Sequence, residues 1–155
     1  MPERSVSRLE RGRRRVKRLP AAAGLALRAW LALAEIDMQL HRRGFRQCLA
    51  ACSRLGASAQ GTADVGARAL RYVSAIERAA RCYPGTARCL QQSLVLHRWL
   101  RRDGAPTKLQ IGVLRVEREF RAHAWVELDG RVLNDRAAAV RPFTPLATQG
   151  AAIAI

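Results

Sequence analysis

Apolar side chains recur every three or four residues through the first half of the chain, as on one face of a helix. Between residues 21 and 41 the recurring positions are Leu25, Ala29, Leu33, Ile36 and Leu40. Gly44 interrupts the spacing, and a second helix is predicted beyond it, with apolar positions at Phe45, Leu49, Cys52 and Leu55. After the loop GASAQGTADVG, in which Thr62 or Asp64 is a suitable N-cap, a third helix is predicted. Its apolar positions are Val65, Leu70, Val73, Ile76 and Ala80.

A fourth predicted helix has apolar residues on more than one face, which indicates a buried central helix. It follows the turn YPGTAR and runs through CLQQSLVLHRWLRRDG to Gly104, where glycine ends it. Thr86 is the predicted N-cap, which makes Cys89 the third helical residue. The apolar positions of this helix are Leu90, Leu94, Val95, Leu96, Trp99 and Leu100.

Beyond Pro106 the pattern predicts strands over residues 108–116, 121–128 and 131–135. Asp129-Gly130 between the last two is a typical hairpin turn. Helices followed by a small antiparallel sheet predict an α+β fold, with the helices packed on one side of the sheet. The length of 155 residues is enough for one domain with a substantial core.

The chain carries 28 Lys and Arg against 12 Asp and Glu, a formal net charge of +16. Residues 1–18 are strongly basic and are interpreted as an arm that precedes the domain of residues 19–155. Such a charge favours acidic peptides or polyanions as partners, and it equally fits a solubilising surface rich in arginine. Because the basic residues are not interleaved with aromatic ones, nucleic acid is not the favoured partner.

The N-terminus shows no secretory signal pattern, and Arg28, Glu35 and Asp37 interrupt the apolar-rich stretch of residues 19–40, so no membrane span is predicted. A cytoplasmic, reducing compartment is expected, in which cysteines remain free thiols. Three of the four cysteines are interpreted as structural: two share one helix face and one closes a helix. They are Cys48, Cys52 and Cys82.

Cys89 differs because it lies in the first turn of the central helix. The unpaired N–H groups and the positive end of the helix dipole favour a reactive thiolate there. The same N–H groups can form an oxyanion hole. A thiolate nucleophile also needs a base. His41 is predicted to be exposed, and His97 lies about 12 Å further along the helix of Cys89, which leaves His123.

Strand alternation places His123 on one face with Trp125 and Glu127, while the opposite face is predicted to pack on the helices. That opposite face carries Ala122, Ala124, Val126 and Leu128. Glu127 is about 13 Å along the strand from His123, too far to orient its ring. Asp135 can come close only if Gly130 forms a bulge or if the strand ends before Asp135, because a two-residue loop would put Asp135 on the wrong face. A Cys–His–Asp triad and a packed cysteine with an unrelated strand histidine both remain open.

The run CLQQSLVLHRWLRRDGAPTKLQIGV followed by FRAHAWVELDGRVLND resembles the transglutaminase-like cysteine peptidases of lasso-peptide biosynthesis. These bacterial enzymes remove the leader from a ribosomally made precursor. The resemblance covers roughly residues 82–136 and implies a papain-like or transglutaminase-like core over residues 83–140, with residues 19–82 as its helical part. It implies Cys89 as the nucleophile, His123 as the general base and later acid, and Asp135 as the orienting carboxylate, with no cofactor or metal.

Fused members of that family begin with a strand-rich leader-binding module, and this N-terminus is predicted to be helical. The resemblance therefore implies the stand-alone peptidase half of a split system. The expected partners are the precursor peptide, a separate leader-binding protein, and an ATP-dependent macrolactam synthetase that receives the freed core peptide.

Three other functions compete with the peptidase. An acyl transferase would use the same triad with an amine in place of water. A nucleic-acid-binding protein is indicated by charge alone. A zinc module could draw on Cys82, Cys89, His97 and His123, although the sequence has no closely spaced ligand pair of the usual kind.

Overall fold

The computed structural model describes residues 21–54, 64–85 and 87–146. The fold is α+β, as predicted, with helices packed beside a four-stranded antiparallel sheet of strand order β3-β2-β1-β4. The elements in chain order are α1 (Ala21–Ser53), α2 (Val65–Arg81), α3 (Cys89–Arg102), β1 (Lys108–Val116), β2 (Glu119–Leu128), β3 (Arg131–Val132), α4 (Ala137–Val140) and β4 (Thr144–Leu146).

The helical half packs around α3, which contacts α1, α2 and both long strands. Seven of its fourteen residues are buried, and this confirms the prediction of a central helix. The largest fully buried apolar side chains come from α1, α3 and β2: Leu33, Ile36, Leu94, Val95, Leu96, Leu100 and Val126. Burial of each such side chain stabilises the fold by about 1.5–3 kcal/mol.

The predicted break at Gly44 is present. Gly44 has φ 74° and ψ 170°, a backbone conformation open to glycine but strained for other residues, and it divides α1 into two helical stretches. Cys48 and Cys52 lie in the helical stretch after the break and are buried in the core, where they are 0% and 1% exposed. Their interpretation as packed thiols is confirmed. None of the described helices is long and apolar enough to cross a membrane.

The predicted cap of α3 needs correction, whereas Asp64 is the N-cap of α2, as predicted. Helix α3 begins at Cys89 itself, with Arg88 at the N-cap in an extended conformation, so Cys89 is the first helical residue and not the third. Asp64 stands at the N-cap of α2 but makes no side-chain capping bond. Four sequence predictions fall outside the described residues: those for Thr86, Thr62, Leu55 and the arm of residues 1–18.

The face of the second strand predicted to pack on the helices is confirmed from Ala124 onward, but Ala122 is exposed, and Trp125 on the opposite face is also buried. Ala124 and Val126 are 2% and 0% exposed, and Val126 and Leu128 pack with the helical core. Strand β1 pairs with β2 along its whole length, which places Gly112 opposite His123. Strand β4, which the sequence pattern did not reveal, covers part of the other edge of β1.

The third strand is shorter than predicted. Asp129 and Gly130 have φ 50° and 76°, which is the two-residue hairpin turn that twisted strands favour. Leu128 therefore pairs with Arg131, and β3 ends at Val132. The bulge at Gly130 is not formed. The alternative expectation, a strand that ends before Asp135, is the one that the structure shows.

Candidate active site

Cys89 begins α3 and is half-buried. The backbone N–H of Gln92 makes the first bond of the helix, to the carbonyl of Arg88 at 3.2 Å. The N–H groups of the preceding first-turn residues have no acceptor within the helix, and Arg88 supplies no side-chain cap. Together with the dipole, these donors favour the negative charge that develops on a carbonyl oxygen attacked beside Cys89.

His123 and Asp135 are joined by a short hydrogen bond, with 2.6 Å between Nε2 and Oδ2. The other carboxylate oxygen of Asp135 accepts the backbone N–H of Arg136, also at 2.6 Å. Both side chains are about a quarter exposed, so the bond is reachable from solvent. Asp135 thus holds the proton of the ring on Nε2. Among the residues that the structure describes, Nδ1 has no hydrogen-bond partner and is free to accept a proton.

Two aromatic rings fix the plane of the His123 imidazole. Trp125 stacks on it with 6.1 Å between ring centroids and 24° between planes, and Phe143 lies 5.3 Å away at 40°. This packing requires a glycine on the neighbouring strand. A Cβ atom at Gly112 would lie 2.7 Å from Cβ of Phe143 and 2.8 Å from the Trp125 ring, closer than real side chains come.

Glu127 supports Trp125 and does not reach His123. Its Oε1 accepts the indole N–H of Trp125 at 2.7 Å, and its Oε2 accepts the amide of Gln110 at 3.3 Å. The carboxylate on the same strand face is therefore occupied in fixing the ring that stacks on His123. The expectation that Glu127 is too far away to orient the histidine agrees with these contacts.

Two contacts give the direction in which α3 crosses the sheet. Past the middle of the helix, His97 bonds Thr107. Thr107 precedes β1, and the first residue of β1 pairs with Glu127. One turn closer to its start, the Ser93 hydroxyl donates to the carbonyl of Ala124 at 2.9 Å. From its start to its end, the helix therefore runs along β2 from Ala124 toward Glu127. Its first turn, with Cys89, lies toward the part of the strand that carries His123.

The other two histidines lie elsewhere. His41 is exposed, as predicted, and its Nδ1 bonds the carbonyl of Asp37 at 2.8 Å. His97 is 3% exposed and bonds two hydroxyls, Thr107 Oγ1 at 3.0 Å and Ser53 Oγ at 3.3 Å. Its burial, aided by the charge of Arg101, lowers its pKa to about 4. It is therefore neutral at pH 7.

The remaining cysteines are also distinguishable. A hydrogen bond to Cys48, together with burial, raises the pKa of Cys52, so that Cys52 stays a neutral thiol. Cys82 lies at the C-cap of α2, as predicted, and is exposed. Within the described part of the chain, no group of three or more His, Cys, Asp or Glu side chains could hold a metal ion, so the zinc interpretation finds no ligand cluster there.

Sequence reasoning missed the residues that support His123 and Asp135: Ser93, Gly112, Asn134 and Phe143. A glycine inside a strand pattern is a known sign of close approach and could have drawn attention to Gly112. Ser93, Asn134 and Phe143 carry no such sign, because their contacts join segments far apart in sequence.

Comparison with families of known proteins matches residues 30–148 to one family, described as the transglutaminase-like superfamily. The match spans α1 to β4 and contains the thiol at the start of α3 and the bonded His123–Asp135 pair. No curated protein matches the chain, and no solved structure matches it. The family match covers more than half of the sequence, and with the fold described above it establishes that the chain belongs to the transglutaminase-like superfamily.

Proposed function

We propose that the chain is a cysteine peptidase that removes the leader from a lasso-peptide precursor, with Cys89, His123 and Asp135 as its catalytic triad. The superfamily supports cysteine peptidase or acyl transferase chemistry. The observation that carries the proposal is the 2.6 Å bond between His123 and Asp135, on the strand toward which the first turn of α3 points. The resemblance of residues 82–136 to leader peptidases supports the finer assignment.

The geometry supports a particular role for each ring nitrogen of His123. Asp135 accepts the proton on Nε2, so Nδ1 is the nitrogen that takes the proton of the Cys89 thiol. The thiolate then forms a bond to the carbonyl carbon of the scissile peptide, and the carbonyl oxygen becomes an oxyanion. The free N–H groups in the first turn of α3 are placed to stabilise that charge.

The cleavage is completed by three proton transfers. The protonated Nδ1 of His123 donates to the departing amine as the C–N bond breaks, which leaves a thioester on Cys89. Nδ1 then takes a proton from water, whose oxygen attacks the thioester carbonyl. As the C–S bond breaks, Nδ1 returns that proton to the sulfur, so the leader is released as a carboxylic acid and the thiol of Cys89 is restored.

An acyl transferase is the second candidate, because superfamily membership supports it equally. The thioester would then be attacked by an amine in place of water. The masses of the products separate the two reactions: hydrolysis adds one water across the cleaved bond, whereas transfer joins the acyl fragment to the amine. The peptidase is preferred on the resemblance of the helix and strand motifs.

We place this peptidase in the cytoplasm as the catalytic half of a split system. A separate leader-binding protein would deliver the precursor, and a macrolactam synthetase would take the freed core peptide. Tethering the precursor beside Cys89 raises its local concentration, and millimolar values are typical of short tethers. The +16 net charge supports an acidic leader or partner protein.

Reconstitution tests the proposal. The chain is mixed with a lasso-precursor peptide, with and without a candidate leader-binding protein, and the product masses are measured by mass spectrometry. We expect slow cleavage by the chain alone, faster cleavage with its partner, and none by Cys89→Ala. Cys82→Ser is the matched control, since Cys82 is exposed and outside the site, and it should retain full activity. Cleavage by folded Cys89→Ala would contradict the assignment, and full activity without a partner would contradict the split system.

A further inference from the structure

Ser93 lies on the helix of Cys89 and contacts the residues next in sequence to His123 and Asp135. It is one helical turn beyond Cys89 and is 0% exposed. Its hydroxyl donates to the carbonyl of Ala124, the residue after His123, at 2.9 Å. It accepts the side-chain amide of Asn134, the residue before Asp135, also at 2.9 Å. A single buried hydroxyl therefore joins the helix of the thiol to both segments that carry the His–Asp pair.

The donor and the acceptor of every hydrogen bond in this network are determined. The backbone N–H of Val126 can only donate, and it donates to Asn134 Oδ1 at 2.8 Å. Asn134 must then present Nδ2 to Ser93, and Ser93 must use its own proton for the Ala124 carbonyl. Since each donor has one suitable acceptor, the network holds one arrangement of α3, β2 and the segment after β3.

Asn134 also explains how Asp135 reaches the face of His123. The two-residue turn would carry an extended third strand on to Asp135, opposite Ala124 and on the helix-facing side. Instead, the N–H of Leu133 still bonds the Val126 carbonyl at 2.9 Å, but the returning bond from Val126 goes to the Asn134 side chain. The amide oxygen takes the place of a backbone carbonyl in the ladder, and the chain leaves the sheet at that point.

We propose that Ser93 and Asn134 are positioning residues that hold Cys89, His123 and Asp135 in one fixed arrangement. This inference rests on the triad of the proposed function. Loss of either side chain releases the segment that carries Asp135 from α3, lengthens the His123–Asp135 bond and moves the ring relative to the thiol. Misplacement by about 1 Å can lower a rate by about 10²-fold, so the effect falls on kcat and leaves KM nearly unchanged.

The experiment compares Ser93→Ala and Asn134→Ala with Thr107→Val, which removes a buried hydroxyl bonded to His97 on the same helix. Three quantities are measured for each: kcat and KM on the precursor peptide, the rate of Cys89 alkylation by iodoacetamide, and the low-field proton signal of the His123 Nε2–H. Ser93→Ala and Asn134→Ala should lose about 10²-fold in kcat and lose or broaden the proton signal. Thr107→Val should be destabilised but keep both.

The outcomes are distinguishable. If folded Ser93→Ala and Asn134→Ala keep the proton signal, the alkylation rate and kcat, and lose only stability as Thr107→Val does, the positioning role is overturned. Asn134 is less buried than Ser93, so Asn134→Ala decides the question if Ser93→Ala does not fold. If the parent chain cleaves no peptide, the proposed function fails. Loss of the proton signal and a changed alkylation rate would still support the positioning role in that case.

Discussion

His97 and His123 show how one residue type serves two purposes in the same small fold. His97 is enclosed between α1, α3 and β1, and its two nitrogens bond neutral hydroxyls. His123 is a quarter exposed, contacts the rings of Trp125 and Phe143 and bonds a carboxylate. Burial keeps His97 uncharged. The carboxylate of Asp135 instead orients the His123 ring through its bond to Nε2. The hydroxyl partners of His97 indicate a structural role. The carboxylate partner of His123 and its unbonded second nitrogen are the features expected of a general base.

The largest expected effect comes from replacing the charged partner of His123 by a neutral one. Asp135→Asn keeps the shape of the side chain but removes its charge, and its NH2 group can face the ring and favour the other tautomer. By analogy with serine triads, the loss of kcat could reach about 10⁴-fold. Glu127→Gln is the matched control, because Glu127 supports Trp125 and not His123, and it should cost far less. Peptide cleavage by each purified variant is the measurement. Equal losses at both positions would erase the distinction between the two carboxylates.

A smaller loss is expected when the aromatic support of His123 is disturbed and its hydrogen bond is left intact. Gly112→Ala places a Cβ atom where Phe143 and Trp125 pack, so one of these rings must move. We expect kcat to fall by about 10²-fold, the effect of a misplacement of about 1 Å. Gly24→Ala is the control, since nothing lies within 4 Å of a Cβ atom there. Unchanged kcat in Gly112→Ala would show that the rings do not orient His123.

His97 is expected to make the free energy of unfolding depend on pH. The pKa of His97 is about 4 in the folded protein, against about 6.5 when unfolded, so the unfolded chain binds the proton more readily. The contribution of His97 is complete above pH 6.5 and is lost as the pH falls toward 4. We expect a loss of about 2 kcal/mol by pH 5, measured by urea unfolding. In His97→Gln this part of the pH dependence should disappear, and an unchanged slope would contradict the buried, neutral state.

The smallest effect is expected from removal of the basic arm, residues 4–18. If the arm gathers an acidic leader or partner protein, a chain starting at Leu19 should lose a few-fold in kcat/KM at low salt. The difference should vanish near 1 M salt, where charges are screened within about 3 Å. Activity of both chains on the precursor with its leader-binding protein is compared across that range. Equal activity at every salt concentration would confine the arm to solubility.

Local patterns were sufficient for the features that depend on neighbouring residues. Helical spacing predicted the central position of α3, and strand alternation predicted which face of β2 carries His123. The position of Cys89 at a helix start was also predicted, although its exact place in the first turn was wrong by two residues. Each of these follows from periodicity within about fifteen residues, where a sequence determines its own geometry.

Long-range contacts determined the rest. The third strand was predicted to reach Asp135, but it ends at Val132 because Asn134 bonds Val126 and a helix forty-one residues away. The enclosure of His97 depends on Ser53 and Thr107, which periodicity cannot bring together. Helix α4 and strand β4 have four and three residues, too few to show a period. Tertiary contacts decide such elements, and a single sequence does not display them.

Because Cys48 and Cys52 are buried, the reactivity of their thiols reports whether the helical core is folded. In the native state a thiol reagent can react only with Cys82, which is exposed, and Cys89, which is half-buried. The other two sulfurs become reactive only when the second stretch of α1 separates from the core. Counting modified thiols over time therefore separates a fast phase, in which Cys82 and Cys89 react, from a slow phase set by how often the helical core opens.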